Sequence, residues 1–298
     1  MPQMPRYPIF IPSKNRYQHE RALTARCLMA DGVDFKMVVE PSEADEYAKL
    51  CGAERLIILP RDDFQLYNAR NFIKDIASED GHFRHWQIDD NIRTFRRFYR
   101  KARRIPCHAG DALSVCEDFT DRYENIAISG LNYQMFVTPT TTQPFYLNVH
   151  VYSCTLVRTD IPNRWRGPYN DETDLCLQVL ADGWCTVLLN IFMADKIRTE
   201  LIRGGNVPIY EQDGRLRMAR QLERRWPGVV RVDRRWGRPQ HVINWKAFTT
   251  PLKRRDDVDF DSMDKVDERG LRLFEAEPLR SDTLRAIMQD KLDEGSNR

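Results

Sequence analysis

No stretch of this chain approaches the roughly 18–20 consecutive apolar residues that a helix needs to cross a bilayer, so no membrane span is expected. The start of the chain carries no apolar signal core, which makes a cytoplasmic protein the expectation. Patterns for disulfide or zinc frameworks are missing as well. The seven cysteines, at 27, 51, 107, 116, 154, 176 and 185, are odd in number and form no C-x-x-C pair. Most sit among apolar neighbours, as in Leu175-Cys176-Leu177, and read as reduced, buried or half-buried thiols. There are no internal repeats or low-complexity tracts.

A strong excess of one charge is also lacking, since the net is +2 at pH 7. That figure hides an asymmetry. Residues 251–298 hold 10 basic and 13 acidic side chains, a net of −3, which leaves +5 on residues 1–250. The excess falls in arginine clusters with aromatics between them, which suits an acidic partner. Hydrophobic content of 42% and charged content of 30% over 298 residues describe a globular protein able to bury a sizeable core.

The first 200 residues alternate strand-like and helix-like segments, the pattern of an α/β sheet with crossover helices. Strands are predicted at 8–12, 35–40 and 55–59, each closed by a proline, with helices at 17–30, from Ser42, and at 65–78. A fourth strand leads into His85-Trp86-Gln87-Ile88-Asp89-Asp90-Asn91-Ile92. Further strands are expected at 146–157 and 185–190, with a helix at 172–181 ended by Asp182-Gly183. In open α/β sheets ligands bind beyond the carboxyl ends of the strands. Here those ends carry Ser13-Lys14-Asn15-Arg16, Glu40 and the Asp89-Asp90-Asn91 triplet. Beyond about 251 the apolar density drops. The expectation is one domain over 1–250 and a charged, partly helical appendage over 251–298.

Six constellations have chemistry to offer. Asp89, Asp90 and Asn91 cluster oxygen ligands that suit Mg²⁺ or Mn²⁺ bridging a diphosphate, although all three residues also favour turns. Ser13-Lys14-Asn15-Arg16 can cradle a nucleotide through backbone amides and charge, or be a solvated turn. Tyr67-Asn68-Ala69-Arg70-Asn71 sets Asn68 and Asn71 on one helix face with Arg70 beside them. Asn170-Asp171-Glu172-Thr173-Asp174 opens a helix, where acidic residues often only complement the dipole but where one carboxylate can serve as general base. His241, after the turn Trp236-Gly237-Arg238-Pro239-Gln240, is a metal or phosphate candidate or a structural histidine. Finally, residues 93–104 (RTFRRFYRKARR) combine seven basic side chains with Phe95, Phe98 and Tyr99. That mixture suits phosphate contacts and base stacking, against the alternative of a solvated helix face. Arg164-Trp165-Arg166 and Arg224-Arg225-Trp226 repeat it on a smaller scale.

In this order, the stretches IFIPSKNR, VVEPSE, YNARN, WQIDDNI, SGLNYQMF, YNDETDLCLQVLADGW, GGN at 204–206 and YEQDGR at 210–215 resemble GT-A-fold glycosyltransferases. More closely, they resemble the TET/JBP-associated glycosyltransferases of phages, which are similar to the base-J glucosyltransferases. The resemblance covers about residues 8–245. It implies a GT-A-like, Rossmann-type nucleotide-sugar-binding mixed sheet flanked by helices. It also implies metal-dependent transfer of a sugar from a nucleotide donor, a UDP-sugar first, to a 5-hydroxymethylated pyrimidine in DNA, in the host cytoplasm if the chain is phage-encoded. Carried over, Ser13, Arg16, Glu40, Arg70, Asp89 and Asp90 become donor contacts, and Asp89, Asn91 and His241 hold Mn²⁺ or Mg²⁺. Asp171 and Glu172 fall on the acidic pair that supplies the base. Asn91 replaces the usual last carboxylate, and Asp171-Glu172 reverses the commoner Glu-Asp order. Two rivals remain: a GT-A enzyme acting on protein, glycan or a small molecule, and a non-catalytic nucleic-acid-binding protein on that fold.

Overall fold

Proline, glycine and acidic turns end each apolar run in the first third of the chain, and the computed structural model turns those runs into adjacent strands. The structure describes residues 2–99, 103–138, 140–141, 143–197, 214–235 and 237–262. Strands β1 (Ile9–Pro12), β2 (Lys36–Val39), β3 (Leu56–Ile58) and β4 (Arg84–Ile88) alternate with helices α1 (Leu23–Ala30), α2 (Ala44–Cys51) and α3 (Leu66–Glu79). There follow β5 (Ile92–Tyr99), β6 (Arg103–Cys107), α4 (Ala109–Thr120), β7 (Ile126–Tyr133), β8 (Phe145–Leu147) and β9 (Cys154–Arg158). The described elements close with α5 (Asp171–Ala181), β10 (Cys185–Lys196), α6 (Gly214–Arg225), β11 (Val230–Arg235) and β12 (Arg238–Ile243).

The main sheet runs β3-β2-β1-β4-β9-β7-β10-β5-β6, with β8 against β10. Strands β1 to β4 are parallel to their neighbours in that block, while β9 is antiparallel to both β4 and β7. This is the helix-flanked mixed α/β sheet expected from the sequence. The chain moves outward from β1 to β3 and then returns to the other side of β1 as β4. The order therefore reverses between β1 and β4, and a crevice opens there at the strands' carboxyl ends. All residues of β1 and β4 are buried, as expected of strands covered on both faces. Trp86 of β4 is fully buried and donates from its indole nitrogen to Glu117 Oε1 at 2.8 Å, so its polar edge is satisfied inside the core.

Several expected elements differ from those observed. The helix predicted at 17–30 begins only at Leu23, because a turn closed by Arg21 N–H on Gln18 O (2.8 Å) precedes it. The single strand expected over 146–157 is two, β8 and β9, separated by left-handed residues at Asn148 (φ 54°) and Ser153 (φ 61°). The basic run at 93–104 is not helical where described: it forms β5 and β6, paired antiparallel from Phe95–Cys107 to Tyr99–Arg103. Period-two alternation buries Phe95 and Arg97, and the Arg97 guanidinium lies 4.7 Å from the Phe192 ring centre. Residues 251–262 pack back onto the sheet, with Lys253 N–H on Asn125 Oδ1 (2.8 Å) and the Phe260 ring 5.7 Å from that of Tyr123. The remainder of the charged appendage, 263–298, lies outside the described residues, as do GGN at 204–206, most of YEQDGR, Arg100 and Trp236.

Candidate active site

A cleft of about 870 Å³ lies over the ends of β1, β2 and β4, and Ser13, Arg16, Glu40, Arg70, Asp89, Asp90, Asp171 and Glu172 all line it. One side is built from β1 and β2. Ser13 N–H extends the ladder to Val38 O (3.1 Å), and Asn15, left-handed at φ 58°, turns the chain so that Arg16 points back. The Ser13 hydroxyl donates to Asp90 Oδ2 at 2.6 Å and shares a 2.7 Å hydrogen bond with the Tyr47 hydroxyl. Arg16 Nη1 pairs with Asp90 Oδ1. Burial pushes the Asp90 carboxyl above its usual range, with Arg16 and Ser13 opposing. Glu40 is held by Lys14 (2.9 Å) and by Phe64 N–H (3.1 Å).

The other side gathers distant segments. Arg70, buried on α3, donates from Nη2 to Asp89 Oδ1 (2.9 Å) and Glu172 Oε1 (3.0 Å), and its Nε lies 3.3 Å from Asp171 Oδ2. Its Nη1 is buried and has no hydrogen-bond partner among the described residues. Lys196, at the end of β10, donates from Nζ to Asp89 Oδ2 (2.6 Å), Ser153 Oγ (2.7 Å) and Tyr133 Oη (3.2 Å). Despite burial, the charges of Lys196 and Arg70 hold the Asp89 carboxyl well below the usual carboxylate range. Glu172 behaves oppositely. Burial, aided by Asp89 and Asp171, pushes it up to about 7 against the pull of Arg70 and Lys196. Burial raises Asp171 too. Glu172 Oε1 also accepts Ser153 N–H (2.7 Å), while Oε2 makes no hydrogen bond among the described residues. A carboxylate poised near neutral pH with one oxygen uncommitted is suited to accept a proton.

The tip itself is pinned. Thr24 Oγ1 donates to Asp89 O (2.5 Å) and accepts Ile92 N–H (2.9 Å), while Asp89 N–H donates to Ser153 O (2.7 Å). Of the three residues expected to hold Mn²⁺ or Mg²⁺, only Asp89 lines the cleft. Asn91 is buried, donates to Ile197 O (2.8 Å) and leaves its Oδ1 inside without a partner among the described residues. His241 sits on β12 opposite Val232, where burial lowers its pKa. Among the described residues no group of three His, Cys, Asp or Glu is placed to hold a metal. The donor set among the described residues does not fit a divalent cation, and the cations against Asp89 are the Lys196 ammonium and the Arg70 guanidinium.

Two further sequence candidates take structural parts. Asn71 brackets Trp165, giving a hydrogen bond to its carbonyl (2.9 Å) and accepting one from its N–H (3.1 Å). Asp174, fully buried, binds Arg166 twice at 2.8 Å and Trp226 Nε1 at 2.8 Å, tying α5 to α6. Among the cleft residues that escaped sequence reasoning are Lys196, Ser153, His150 and Tyr152. Tyr133 and Phe136 sit in SGLNYQMF without a role having been read for them. Together they form an aromatic wall, with ring centres 4.3 Å apart for Tyr133–Tyr152, 5.7 Å for Tyr133–Phe136 and 4.8 Å for His150–Tyr152. Phe136 is 55% exposed and its neighbour Met135 46%. The β5–β6 hairpin adjoins this wall, since Arg104 Nη1 donates to Gln134 O at 2.8 Å.

A family model described as TET-Associated Glycosyltransferase matches residues 7–205. No curated protein matches the chain. Among solved structures, a protein from Desulfovibrio desulfuricans G20 provisionally described as a nucleotide-diphospho-sugar transferase is 13% identical, covering 75% of this chain and 99% of its own, at a TM-score of 0.38. A CMP:2-keto-3-deoxy-manno-octonic acid synthetase complexed with CTP is 11% identical over 72% of this chain and 99% of its own, at a TM-score of 0.40. Neither likeness is close enough to carry an argument.

Proposed function

The chain belongs to the TET-Associated Glycosyltransferase family, and from that premise we propose that it moves a sugar from a nucleotide-sugar donor, a UDP-sugar first, to the hydroxymethyl oxygen of a 5-hydroxymethylpyrimidine in DNA. The observation that carries the reading is the pairing, in one cleft, of a polar cradle at the sheet's reversal point with Glu172, whose Oε1 is held by Arg70 and by Ser153 N–H. Ser13, Arg16, Glu40 and Asp90 face the donor nucleoside. The acceptor hydroxyl forms a bond to the anomeric carbon as the bond from that carbon to the diphosphate oxygen breaks. The bonding pair leaves with the diphosphate, and the hydroxyl proton passes to Glu172 or its neighbour Asp171. No step runs through a divalent cation.

The DNA acceptor is supported by the family's name and by the cleft mouth. A duplex base must leave its stack to reach such a site, at a cost of a few kcal/mol. The exposed Phe136 and Met135 offer it a surface, and base–aromatic stacking returns about 1–3 kcal/mol. Arg93, 54% exposed along its side chain, and Arg104 on the adjoining hairpin are positioned for phosphates. A protein, glycan or small-molecule acceptor is the second reading. It is favoured by the inward partners of the basic run: Arg93 and Arg96 pair with Asp195, and Arg97 is buried. Mass spectrometry of hydroxymethylated and unmodified DNA after incubation with a panel of nucleotide sugars decides. A mass gain of one sugar on the hydroxymethylated base alone is expected; no gain with any donor leaves the second reading.

A further inference from the structure

Resting on the transferase reading above, we propose that the Lys196 ammonium and the Arg70 guanidinium take the part of a divalent cation in this cleft, holding the donor's diphosphate and the charge it gains as the sugar leaves. A metal-assisted transferase needs a cation against the carboxylate at the tip of β4, and both oxygens of that carboxylate are already met by nitrogen cations. Lys196 Nζ lies 2.6 Å from Asp89 Oδ2, and Arg70 Nη2 lies 2.9 Å from Oδ1. A register shift aims Lys196 into this place. Pairing between β10 and β5 shifts register between Asp195 and Lys196, so that Lys196 lies opposite Ile92 and Arg93 is skipped. Bulges of this kind re-aim side chains beside active sites. Asp195 turns to Arg93 and Arg96, while Lys196 lines the cleft.

Both groups have capacity for an anion. Arg70 Nη1 is a buried, charged donor with no partner among the described residues. Lys196 makes its longest contact, 3.2 Å, to the Tyr133 hydroxyl, which itself bonds Ser153 Oγ and so loses nothing essential if Nζ turns to a phosphate oxygen. Four cations (Lys14, Arg16, Arg70, Lys196) and six carboxylates (Glu40, Asp63, Asp89, Asp90, Asp171, Glu172) line the cleft. Burial raises three of those carboxyls, Asp90, Asp171 and Glu172, above their usual ranges. In the transfer step the electron pair of the broken sugar–oxygen bond collects on the diphosphate. Preorganised cationic donors at that oxygen are worth on the order of 10²–10³ in rate each.

The test is calorimetric titration of the full chain with UDP, GDP, CDP and ADP and with the matching monophosphates, first in excess EDTA and then with Mn²⁺ or Mg²⁺. One nucleoside diphosphate is expected to bind equally well in both buffers. Lys196→Gln should weaken that diphosphate about 10- to 150-fold, the worth of one charge-assisted hydrogen bond, while leaving its monophosphate nearly unchanged, and Lys196→Arg should restore most of the affinity. Diphosphate binding that vanishes in EDTA and returns with metal overturns the proposal. This comparison uses the unaltered protein, so it decides even if the variant misfolds. Equal weakening of mono- and diphosphate by Lys196→Gln overturns it too. Binding of no nucleotide at all, with no turnover of any nucleotide sugar, removes the transferase reading itself, a result distinct from metal-dependent binding.

Discussion

Asp89 and Asp90 are adjacent in the chain and belong to different halves of the molecule. Asp90, with a side chain 8% exposed, faces the parallel half of the sheet, where Ser13, Arg16 and Tyr47 close a network around it. Asp89, 20% exposed, faces the other half, where Arg70 of α3, Asp171 and Glu172 of α5, Ser153 before β9 and Lys196 at the end of β10 come together. The difference in environment is chemical as well as spatial: burial dominates one carboxyl and raises its pKa, while two cations dominate the other and lower it. One half closes a buried hydrogen-bonded network around its carboxyl. The other concentrates opposing charges around Asp89, beside Glu172, whose carboxyl is pushed up to about 7.

The contrast is tested most severely at Glu172. Glu172→Gln keeps its shape but cannot accept a proton, so the transfer rate should fall by about 10²–10⁴ while donor binding holds. Asp171→Asn is the paired control, and if both leave the rate intact the base lies elsewhere. A base pushed up to about 7 must first lose its proton, so the rate of the unaltered enzyme should rise with pH through about 7 and then level. A profile already flat at pH 6 contradicts this. Asp90→Asn should instead act on the fold, since neutralising one side of a buried pair costs about 3–5 kcal/mol. Urea denaturation should show it, and Asp89→Asn, closer to solvent, should lose less stability and more turnover. Phe136→Ala should raise the KM for a DNA acceptor by the worth of one stack, about 1–3 kcal/mol, and leave donor hydrolysis alone. Smallest of all, Arg93→Gln with Arg104→Gln should flatten the salt dependence of DNA binding by about 0.9 in log–log slope for each phosphate that is no longer neutralised. An unchanged slope moves the footprint off this hairpin. Arg97 is unsuited to that experiment, because its guanidinium is buried against Phe192.

The parallel half was legible in the sequence because its ligands follow its strands directly. A short apolar run ended by proline or aspartate places Ser13, Glu40 and Asp89 without reference to anything distant. The acidic helix start at Asp171-Glu172 was legible for a similar reason, since helix entry fixes where those side chains emerge. Lys196 was not. The strand expected to stop at 190 continues through Ile191, Phe192, Met193 and Ala194, all buried, and only the shift against β5 reveals which way Lys196 points. The basic run misled because an inward arginine, Arg97, breaks the apolar alternation that marks a strand. Asn91 and His241 carried the right atoms for a metal, but sequence order says nothing of whether a side chain turns into the cleft or behind it.

Ser153 spends three of its polar groups on three different working residues: its N–H on Glu172, its carbonyl on Asp89 N–H, its hydroxyl on Lys196. Its backbone is left-handed at φ 61°, a conformation that non-glycine residues adopt only when their surroundings hold them there. Glu172, the strand tip and the Lys196 ammonium therefore share a single mechanical joint. Errors at that joint are correlated. If the cleft works as proposed, a displacement there should lower donor affinity, shift the pH profile and slow the chemistry together, because one movement reaches all three groups.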